Sequence, residues 1–402
     1  MEFTRCAMLL AMRKDQIRGP WAALVRRVIP SLILCLTALP GASQDEPSRP
    51  GPVCGPASAG KPLLGIAYPP VGNKAEIRET IAAMKDLGLS CVRIGCDWSL
   101  REPRKDRYYW DPLEERLRAF ADAGISVLLT LETHAWPGWL PKKGKKRDDP
   151  QTLLEFREYV RDLLDIYGSI IFRIQVGNEW NWEIDDFFDG SEQAYIAYAN
   201  ILADEVRRYR NKTGAAGPTI VLGSFSARAA LAYDRGLVSE IRIEGRSVYL
   251  DQVRKYAALP PAERMYARVR TVISAAEFEM LDVHFYDDYP DWALHLQAFL
   301  DTVREISGPA PVPVLVSEFG GPYPVDLYPE FGTPSPELLA RRLPEYVRTL
   351  QSIGIAEAYF FRLRQGYSPI PHADSYLVDR QGGRTPAYEA MKRRVRLPPL
   401  VQ

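Results

Sequence analysis

The chain contains two short apolar runs that each lead to a glutamate, IIFRIQVGNE at Ile170–Glu179 and VPVLVSE at Val312–Glu318. Both runs are rich in β-branched residues and are followed by Gly or Asn within a few positions, a pattern that is typical of buried β-strands. A carboxylate at the end of a buried strand is costly to desolvate, so it needs partners or a chemical role. The two glutamates are therefore the first candidates for a functional site.

Apolar runs of this kind alternate with amphipathic helical segments from residue 61 onward. The helical segments place apolar residues three and four positions apart, as helices packed on a sheet do. Eight βα repeats predict an α/β fold, a (β/α)₈ TIM barrel, with a doubly wound sheet as the structural alternative. The predicted strands are Leu63–Tyr68, Ser90–Cys96, Ser126–Leu131, Ile170–Val176, Thr219–Gly223, Met280–Phe285, Val312–Ser317 and Ala356–Phe361.

The longest departure from this rhythm is residues 224–279, between the fifth and sixth predicted strands. This interval is too long for a bare loop, and it contains a helical pattern of its own at Pro260–Ala276. We predict that it is an excursion on the C-terminal face of the barrel, where βα connections form active sites. The predicted catalytic domain, including this insert, spans residues 61–402.

The first 43 residues have the order of a secretory signal. Basic Arg26-Arg27 precede the 12-residue apolar stretch Val28–Leu39, and the small residues Gly41-Ala42-Ser43 follow it. We predict a signal peptide over residues 1–43, cleavage near Ala42–Gln44, and export to the periplasm or the medium. The apolar stretch is too short to favour a stable membrane span in the mature chain. Residues 44–60 are rich in Pro, Gly and Ser, and they are predicted to form a linker.

Charge and cysteine content argue against several classes of protein. The formal net charge is zero, which gives no electrostatic reason to expect a nucleic-acid partner. Cys54, Cys91 and Cys96 remain beyond the predicted signal, and an odd count argues against a disulfide framework. Cys91 and Cys96 lie on one predicted strand, too far apart to bridge each other. No CxxC or HExxH metal spacing occurs. We predict neither a metal nor an organic cofactor, because the candidate chemistry is carried by carboxylates.

Candidate site residues lie at the C-terminal ends of the predicted strands, which converge on one cleft in such a barrel. Trp136 and Trp180 follow the third and fourth strands. Both are predicted to be platforms for sugar rings, because aromatic faces pack against the C–H faces of sugars. The full set of candidates is Arg93, His134, Trp136, Asn178, Glu179, Trp180, His284, Tyr286 and Glu318.

With Asn178-Glu179 on the fourth predicted strand and Glu318 on the seventh, the chain resembles the clan A glycoside hydrolases. These are (β/α)₈ enzymes that include cellulases, mannanases, β-galactosidases and β-xylosidases. The resemblance covers about residues 61–395. It implies a retaining glycosidase that acts on an oligo- or polysaccharide.

The resemblance also implies a role for each matching residue. Glu318 would be the nucleophile, and Glu179 would be the acid/base, with a raised pKa and its carboxyl group about 5 to 5.5 Å from that of Glu318. Asn178 would bond the sugar 2-hydroxyl, and Arg93 would hold the nucleophile ionised. The other implied contacts are Tyr286 to Glu318 or the ring oxygen, and His134 and His284 to these groups or to substrate hydroxyls. A plain barrel salt bridge at Arg93 and a core histidine at His134 are the structural alternatives.

Two departures from the clan pattern bear on the substrate. Trp180 follows Asn178-Glu179 where many clan members have Pro, and the eighth-strand run Tyr359–Arg364 contains no Trp. Phe361 could replace that Trp, or Arg362 could contact an acidic or heavily hydroxylated sugar. These departures motivate one alternative to hydrolysis, a non-catalytic carbohydrate-binding barrel. A transglycosidase that uses the same glutamates is a second alternative.

Overall fold

Eight parallel strands form a closed barrel in the order in which they occur along the chain. The computed structural model describes residues 63–132, 136–140, 149–180, 191–226, 262–286, 292–308, 312–321, 335–355, 357–366 and 375–396. The strands are β1 Leu63–Ala67, β2 Cys91–Asp97, β3 Ser126–Glu132, β4 Arg173–Val176, β5 Thr219–Ser226, β6 Met280–Tyr286, β7 Val314–Gly320 and β8 Glu357–Phe361. Pairing of β1 with β8 closes the barrel. The predicted TIM barrel is confirmed.

Helices surround the barrel and follow the predicted rhythm. They are α1 Lys74–Leu87, α2 Trp98–Arg101, α3 Asp111–Asp122, α4 Pro150–Tyr167, α5 Glu192–Thr213, α6 Ala262–Ala275, α7 Trp292–Ser307, α8 Pro336–Ser352 and α9 Pro386–Arg396. The Asn73 side chain caps the start of α1, and Gly88 ends that helix with a φ of 76°. Such a left-handed position favours glycine, which has no Cβ to clash.

The predicted excursion at residues 224–279 contains fewer residues outside the regular barrel than the sequence suggested. Residues 224–226 belong to β5, and α6 packs beside both α5 and α7 as a regular helix of the outer ring. The helical pattern predicted at Pro260–Ala276 is therefore the barrel helix that follows β5, and it is not part of an added element. The remainder of the insert, residues 227–261, lies outside the described residues.

The barrel interior follows from the alternation of side chains along each strand. Residues two apart on a strand point to the same face, so Arg173 and Gln175 on β4 both point inward, as do Glu357 and Tyr359 on β8. At the N-terminal end, Arg173 donates two hydrogen bonds to Glu357 Oε2, of 2.8 and 2.6 Å. This bridge crosses the barrel at the end where residues serve stability rather than chemistry.

Two further predictions concern the cysteines and the membrane. Cys91 and Cys96 are both buried free thiols, as expected, whereas Cys54 lies outside the described residues. Among the described helices, none has both the length and the apolar character that a bilayer crossing would require.

Candidate active site

Glu318 is directed into the barrel by an irregularity in β7. Between the pairs Asp282–Leu315 and His284–Glu318, the register advances two residues on β6 but three on β7. The pairing of β7 with β8 shifts in the same way. One extra residue in β7 forms a β-bulge, and bulges redirect side chains near active sites. Ser317 and Glu318 are consequently both in hydrogen-bonding reach of groups on β6.

Glu318 is held by partners on two other strands. Arg93 on β2 donates from Nη1 to Glu318 Oε1 over 2.5 Å, and the Tyr286 hydroxyl donates to Oε2. Arg93 and Glu318 are only 3 % and 5 % exposed, so their charge-assisted hydrogen bond is shielded from water. Both oxygens of the Glu318 carboxylate are thus fixed in orientation. The predicted contacts of Arg93 and Tyr286 with Glu318 are both present.

Arg93 has a second contact, with the residue that precedes the other glutamate. Its Nη2 donates to Asn178 Oδ1 over 2.6 Å, and its Nε donates to Thr130 Oγ1 over 2.9 Å. Asn178 Oδ1 also accepts a hydrogen bond from Ser224 Oγ at 3.2 Å. The Asn178 oxygen is therefore occupied by the protein, so a hydrogen bond to a ligand would come from its amide nitrogen.

Glu179 and Glu318 contact opposite nitrogens of one imidazole ring. His284 Nδ1 lies 2.9 Å from Glu179 Oε1, and His284 Nε2 lies 3.3 Å from Glu318 Oε1. The two carboxylates, from β7 and from the turn after β4, therefore lie within the span of a single histidine. Glu179 has a φ of 43°, a left-handed conformation that is uncommon outside glycine and clusters at functional sites.

The charge state of His284 follows from its buried position between carboxylates. Desolvation alone would lower the pKa of His284. The charge of Glu318 and the hydrogen bond and charge of Glu179 outweigh desolvation, so the pKa is raised above its usual value. A histidine titrates near neutral pH, so one that is hydrogen-bonded to a carboxyl group can share a proton with it. This places a proton between His284 Nδ1 and Glu179 Oε1.

A relay of buried polar groups, which the sequence analysis missed, orients His284. Ser317 Oγ lies 3.1 Å from His284 Nε2 and donates to Asp282 Oδ2 over 2.6 Å. Because the Ser317 hydroxyl proton is directed to Asp282, its oxygen accepts the Nε2 proton of His284. Burial raises the pKa of Asp282 against the opposing charges of His284 and Arg93. Gln175, oriented to satisfy its neighbours, donates to Asp282 Oδ2 over 3.0 Å.

Trp180 does not have the role that the sequence analysis predicted. Its side chain is 0 % exposed; it stacks on Tyr195 at a centroid distance of 4.5 Å and meets the Phe225 ring edge-on at 5.1 Å. A fully buried indole cannot offer a face to a sugar. The platform prediction for Trp180 is therefore wrong, because the turn through Gly177 (φ 80°) and Glu179 directs the next side chain into the core.

Trp136 is partly exposed and packs at the edge of an aromatic cluster. Its ring lies 5.7 Å from Trp98 and 5.3 Å from Tyr198, centroid to centroid. Trp98 in turn is buried and stacks on Tyr159 at 5.3 Å. The cluster holds Trp136 by one side, and its role as a sugar platform stays a prediction. His134 lies outside the described residues.

Phe361 lies where many clan members have a Trp, at the end of β8. It is 4 % exposed, and its ring meets Tyr68 at 5.2 Å and Tyr286 at 5.9 Å, both nearly perpendicular. Since Tyr286 bonds Glu318, the Phe361 ring belongs to the wall of the same site. Within the ranges that the structure describes, no group of three or more His, Cys, Asp or Glu side chains is arranged to hold a metal ion.

Comparisons with known proteins point to the glycoside hydrolases. A β-galactosidase family model, that of glycoside hydrolase family 42, matches residues 67–146. The β-galactosidase BgaA of a Thermus species is 39 % identical over 142 residues, which is 29 % of this chain and 22 % of that protein. A β-galactosidase of Thermus thermophilus is 38 % identical over a stretch of the same length. The chain thus spans about a fifth of the curated relatives that it matches.

Solved structures share the fold over most of the chain. An exo-β-1,4-mannosidase from Opitutaceae bacterium strain TAV5 is 18 % identical, with a TM-score of 0.55, and covers 84 % of this chain and 59 % of its own. A Streptomyces cattleya GH5_18 enzyme, in complex with Manβ1-4GlcNAc, is 15 % identical, with a TM-score of 0.60. The match covers 84 % of this chain and 82 % of that enzyme. A GH39 enzyme from Xanthomonas axonopodis pv. citri is 17 % identical, with a TM-score of 0.53. The match covers 84 % of this chain and 66 % of that enzyme.

The sequence matches and the structural matches support different statements about the chain. The family match includes Arg93 on β2 but ends before both Glu179 and Glu318. The structural matches cover 84 % of the chain at identities of 15 % to 18 %, and such identities show the fold alone. The resemblance of this chain to the clan A (β/α)₈ glycoside hydrolases is thereby confirmed, by a partial family match over residues 67–146 and by a shared fold.

Proposed function

We propose that this chain is a glycoside hydrolase that cleaves β-O-glycosidic bonds with retention of configuration, by double displacement. The observation that carries the proposal is the contact of Glu179 and Glu318 with the two nitrogens of His284. Two carboxylates at close range on either side of a glycosidic bond are what a retaining enzyme requires. The partial family match to β-galactosidases supports the same class of reaction.

Glu318 is the proposed nucleophile. Its carboxylate must be ionised and aimed, and Arg93 and Tyr286 hold one oxygen each. In the first step, Glu318 forms a bond to the anomeric carbon while the bond from that carbon to the leaving oxygen breaks. Attack requires a free lone pair on a Glu318 oxygen, so the hydrogen bond from Tyr286 or Arg93 to that oxygen must weaken or break. The ring oxygen of a bound sugar is a suitable new acceptor for the Tyr286 hydroxyl.

Glu179 is the proposed acid/base. It gives its proton to the leaving oxygen in the first step and takes a proton from water in the second. His284, which is fixed by Ser317 and Asp282, stands between the two glutamates and shares a proton with Glu179. This arrangement suits a group that must donate a proton and then recover it. The chemistry needs no metal or organic cofactor.

The proposed substrate is an oligo- or polysaccharide with a sugar seated between these residues. Asn178 presents its amide nitrogen toward the 2-hydroxyl, and Phe361 forms an apolar wall. Relatives that match part of the chain are β-galactosidases, and one structural neighbour binds Manβ1-4GlcNAc. Aryl β-galactosides and β-mannosides therefore come first in a substrate panel.

We also propose that the chain is exported after removal of residues 1–43. The support is the order of basic, apolar and small residues in Arg26–Ser43. N-terminal sequencing of the protein recovered from the periplasm or the medium tests this proposal. A mature N-terminus near Ala42–Gln44 is expected, and an intact N-terminus on a cytoplasmic protein would contradict it.

Hydrolysis is tested by the rates of two variants on the aryl glycoside that the wild type cleaves fastest. Glu318→Ala should lose at least about 10³-fold in kcat. Glu179→Gln should lose less on substrates with good leaving groups, because these need no protonation. Wild-type rates in Glu318→Ala would refute the assignment. Product analysis at high substrate concentration separates hydrolysis from transglycosylation, which uses the same glutamates.

A further inference from the structure

Arg362 follows the last strand of the barrel, and two neighbours fix its guanidinium group. Its Cζ lies 4.6 Å from the centroid of the Phe361 ring. On the other side it lies against Gly366, where an added Cβ would come within 1.8 Å of Arg362 Nη1. Only glycine fits at residue 366 with the arginine in this position. The guanidinium thus lies beside both an aromatic ring and the backbone at Gly366.

The guanidinium of Arg362 belongs to the wall of the proposed active site. The Phe361 ring beneath it contacts Tyr68 and Tyr286, and Tyr286 bonds Glu318. Desolvation lowers the pKa of Arg362, while Tyr286, Tyr68 and Glu318 act electrostatically in the opposite direction. Arg362 is therefore close enough to the proposed nucleophile and to its tyrosine partner to be affected by their charges.

Arg362 has no acceptor for its guanidinium protons within the described residues, and its Nε is buried without a partner. Two other arginines differ. Arg93 makes three hydrogen bonds to side chains, and Arg364 pairs with Glu79 at 2.8 Å. A half-buried donor left without an acceptor is costly, so an unpaired guanidinium in an active-site wall indicates an absent anionic partner.

Arg362 differs from the other cations of the site in its partners. Arg93 pairs with Glu318 and His284 with Glu179, whereas Arg362 forms no ion pair with the residues that the structure describes. A planar guanidinium matches a carboxylate through two parallel hydrogen bonds.

We propose that Arg362 binds the carboxylate of a uronic acid in the sugar that is cleaved, so that the substrate is a β-uronoside. This inference rests on the proposed glycosidase function and deepens it. A sulfated sugar shares the anionic chemistry, and the test distinguishes the two. The preference would be set by residues beyond the segment that matches the β-galactosidase family.

The test compares matched ligands that differ only at C6. Methyl β-galactoside, methyl β-galacturonide and methyl β-galactoside 6-sulfate, with the gluco counterparts, are titrated by calorimetry into the full chain carrying Glu179→Gln. This background blocks turnover and keeps the Arg93–Glu318 pair, which Glu318→Ala would break, leaving Arg93 free to bind the carboxylate. A uronide should bind at least tenfold more tightly than its neutral partner and more tightly than the sulfate.

Substitutions at two arginines then assign the preference. Arg362→Gln in the same background should abolish it, whereas Arg364→Gln, which removes a charge two residues away, should retain it. Arg362→Lys should restore it in part, since lysine keeps the charge but lacks the fork. A uronide that binds no better than the neutral sugar overturns the inference, as does a preference that survives Arg362→Gln.

Kinetics separate this inference from the proposed function. A wild type that hydrolyses aryl β-galactoside faster than aryl β-galacturonide would contradict the inference at Arg362 and leave the glycosidase proposal standing. Glu318→Ala with undiminished hydrolysis would contradict the glycosidase proposal instead. A preference for the sulfate over the uronide would show an anion site of the wrong chemistry, and it too would overturn the uronoside assignment.

Discussion

Arg93 on β2 and Glu318 on β7 form a buried ion pair, with 2.5 Å between Nη1 and Oε1, across the C-terminal part of the barrel. Neither side chain is more than 7 % exposed. The pair orients the proposed nucleophile. It also buries one charged group on β2 and another on β7. Removal of either partner should therefore affect both stability and catalysis, and the two effects can be separated.

Arg93→Met should destabilise the protein by about 3 to 5 kcal/mol, because it leaves the Glu318 charge buried without a partner. Arg93→Met combined with Glu318→Gln should recover most of that loss, since the remaining pair of groups is neutral. Activity should stay abolished in both variants. Urea unfolding of the single and double variants gives the coupling energy, and additive effects on the free energy of unfolding would show that the pair is not coupled.

Arg173 and Glu357 form a second, largely buried pair at the opposite end of the barrel. Arg173→Met should cost a similar free energy of unfolding, about 3 to 5 kcal/mol. It should leave kcat/KM per folded molecule nearly unchanged, because residues at this end do not meet substrate. Arg93→Met is the matched comparison, since both variants replace the arginine of an ion pair by methionine in the same barrel. A large loss of kcat/KM in folded Arg173→Met would contradict the separation of the two ends.

The raised pKa of His284 gives stability a defined pH dependence. A histidine whose pKa is higher in the folded state contributes stability that is fully present below its unfolded value of about 6.5 and is lost as pH rises through the folded value. The wild type should therefore lose unfolding free energy from about pH 6.5 upward. His284→Gln should lack this component when unfolding is measured from pH 5.5 to 9. An identical pH profile in the two proteins would be inconsistent with the charge assigned to His284.

Trp180 should behave as a core residue. Trp180→Ala removes a fully buried indole and should cost about 3 to 5 kcal/mol of stability, while Trp180→Phe should cost much less because it keeps the stack on Tyr195. Neither folded variant should raise KM, since the ring cannot reach a sugar. Trp136→Phe is the matched control on a partly exposed ring. A higher KM in folded Trp180→Phe, with stability unchanged, would restore its role as a platform.

The barrel and the convergence of its two glutamates could be predicted because both follow from local patterns. Apolar runs and helical periodicity mark the strands and helices, and parallel strands of a barrel bring their C-terminal ends together. Glu179 and Glu318 therefore had to face one cleft. The confirmed contacts of Arg93 and Tyr286 with Glu318 are consequences of the same geometry.

The remaining features depend on backbone detail that periodicity does not carry. Trp180 was assigned to the site from its position just after a strand, and that position does not reveal where the side chain points beyond the left-handed residues Gly177 and Glu179. The bulge in β7 brings both Ser317 and Glu318 to the site, where strict alternation would admit only one of them. Asp282 was a detectable signal that the sequence analysis did not use, since it lies two residues before His284 on an otherwise apolar strand. The insert was overestimated because the helical pattern at α6 was assigned to it.

The configuration of the first-formed product tests the central claim most directly. Proton NMR during hydrolysis of the best aryl β-glycoside distinguishes the two anomers before mutarotation mixes them. Double displacement at Glu318, with Glu179 as acid/base, predicts that the β-anomer appears first. An α-anomer that appears first would mean single displacement by water, and it would contradict Glu318 as the nucleophile.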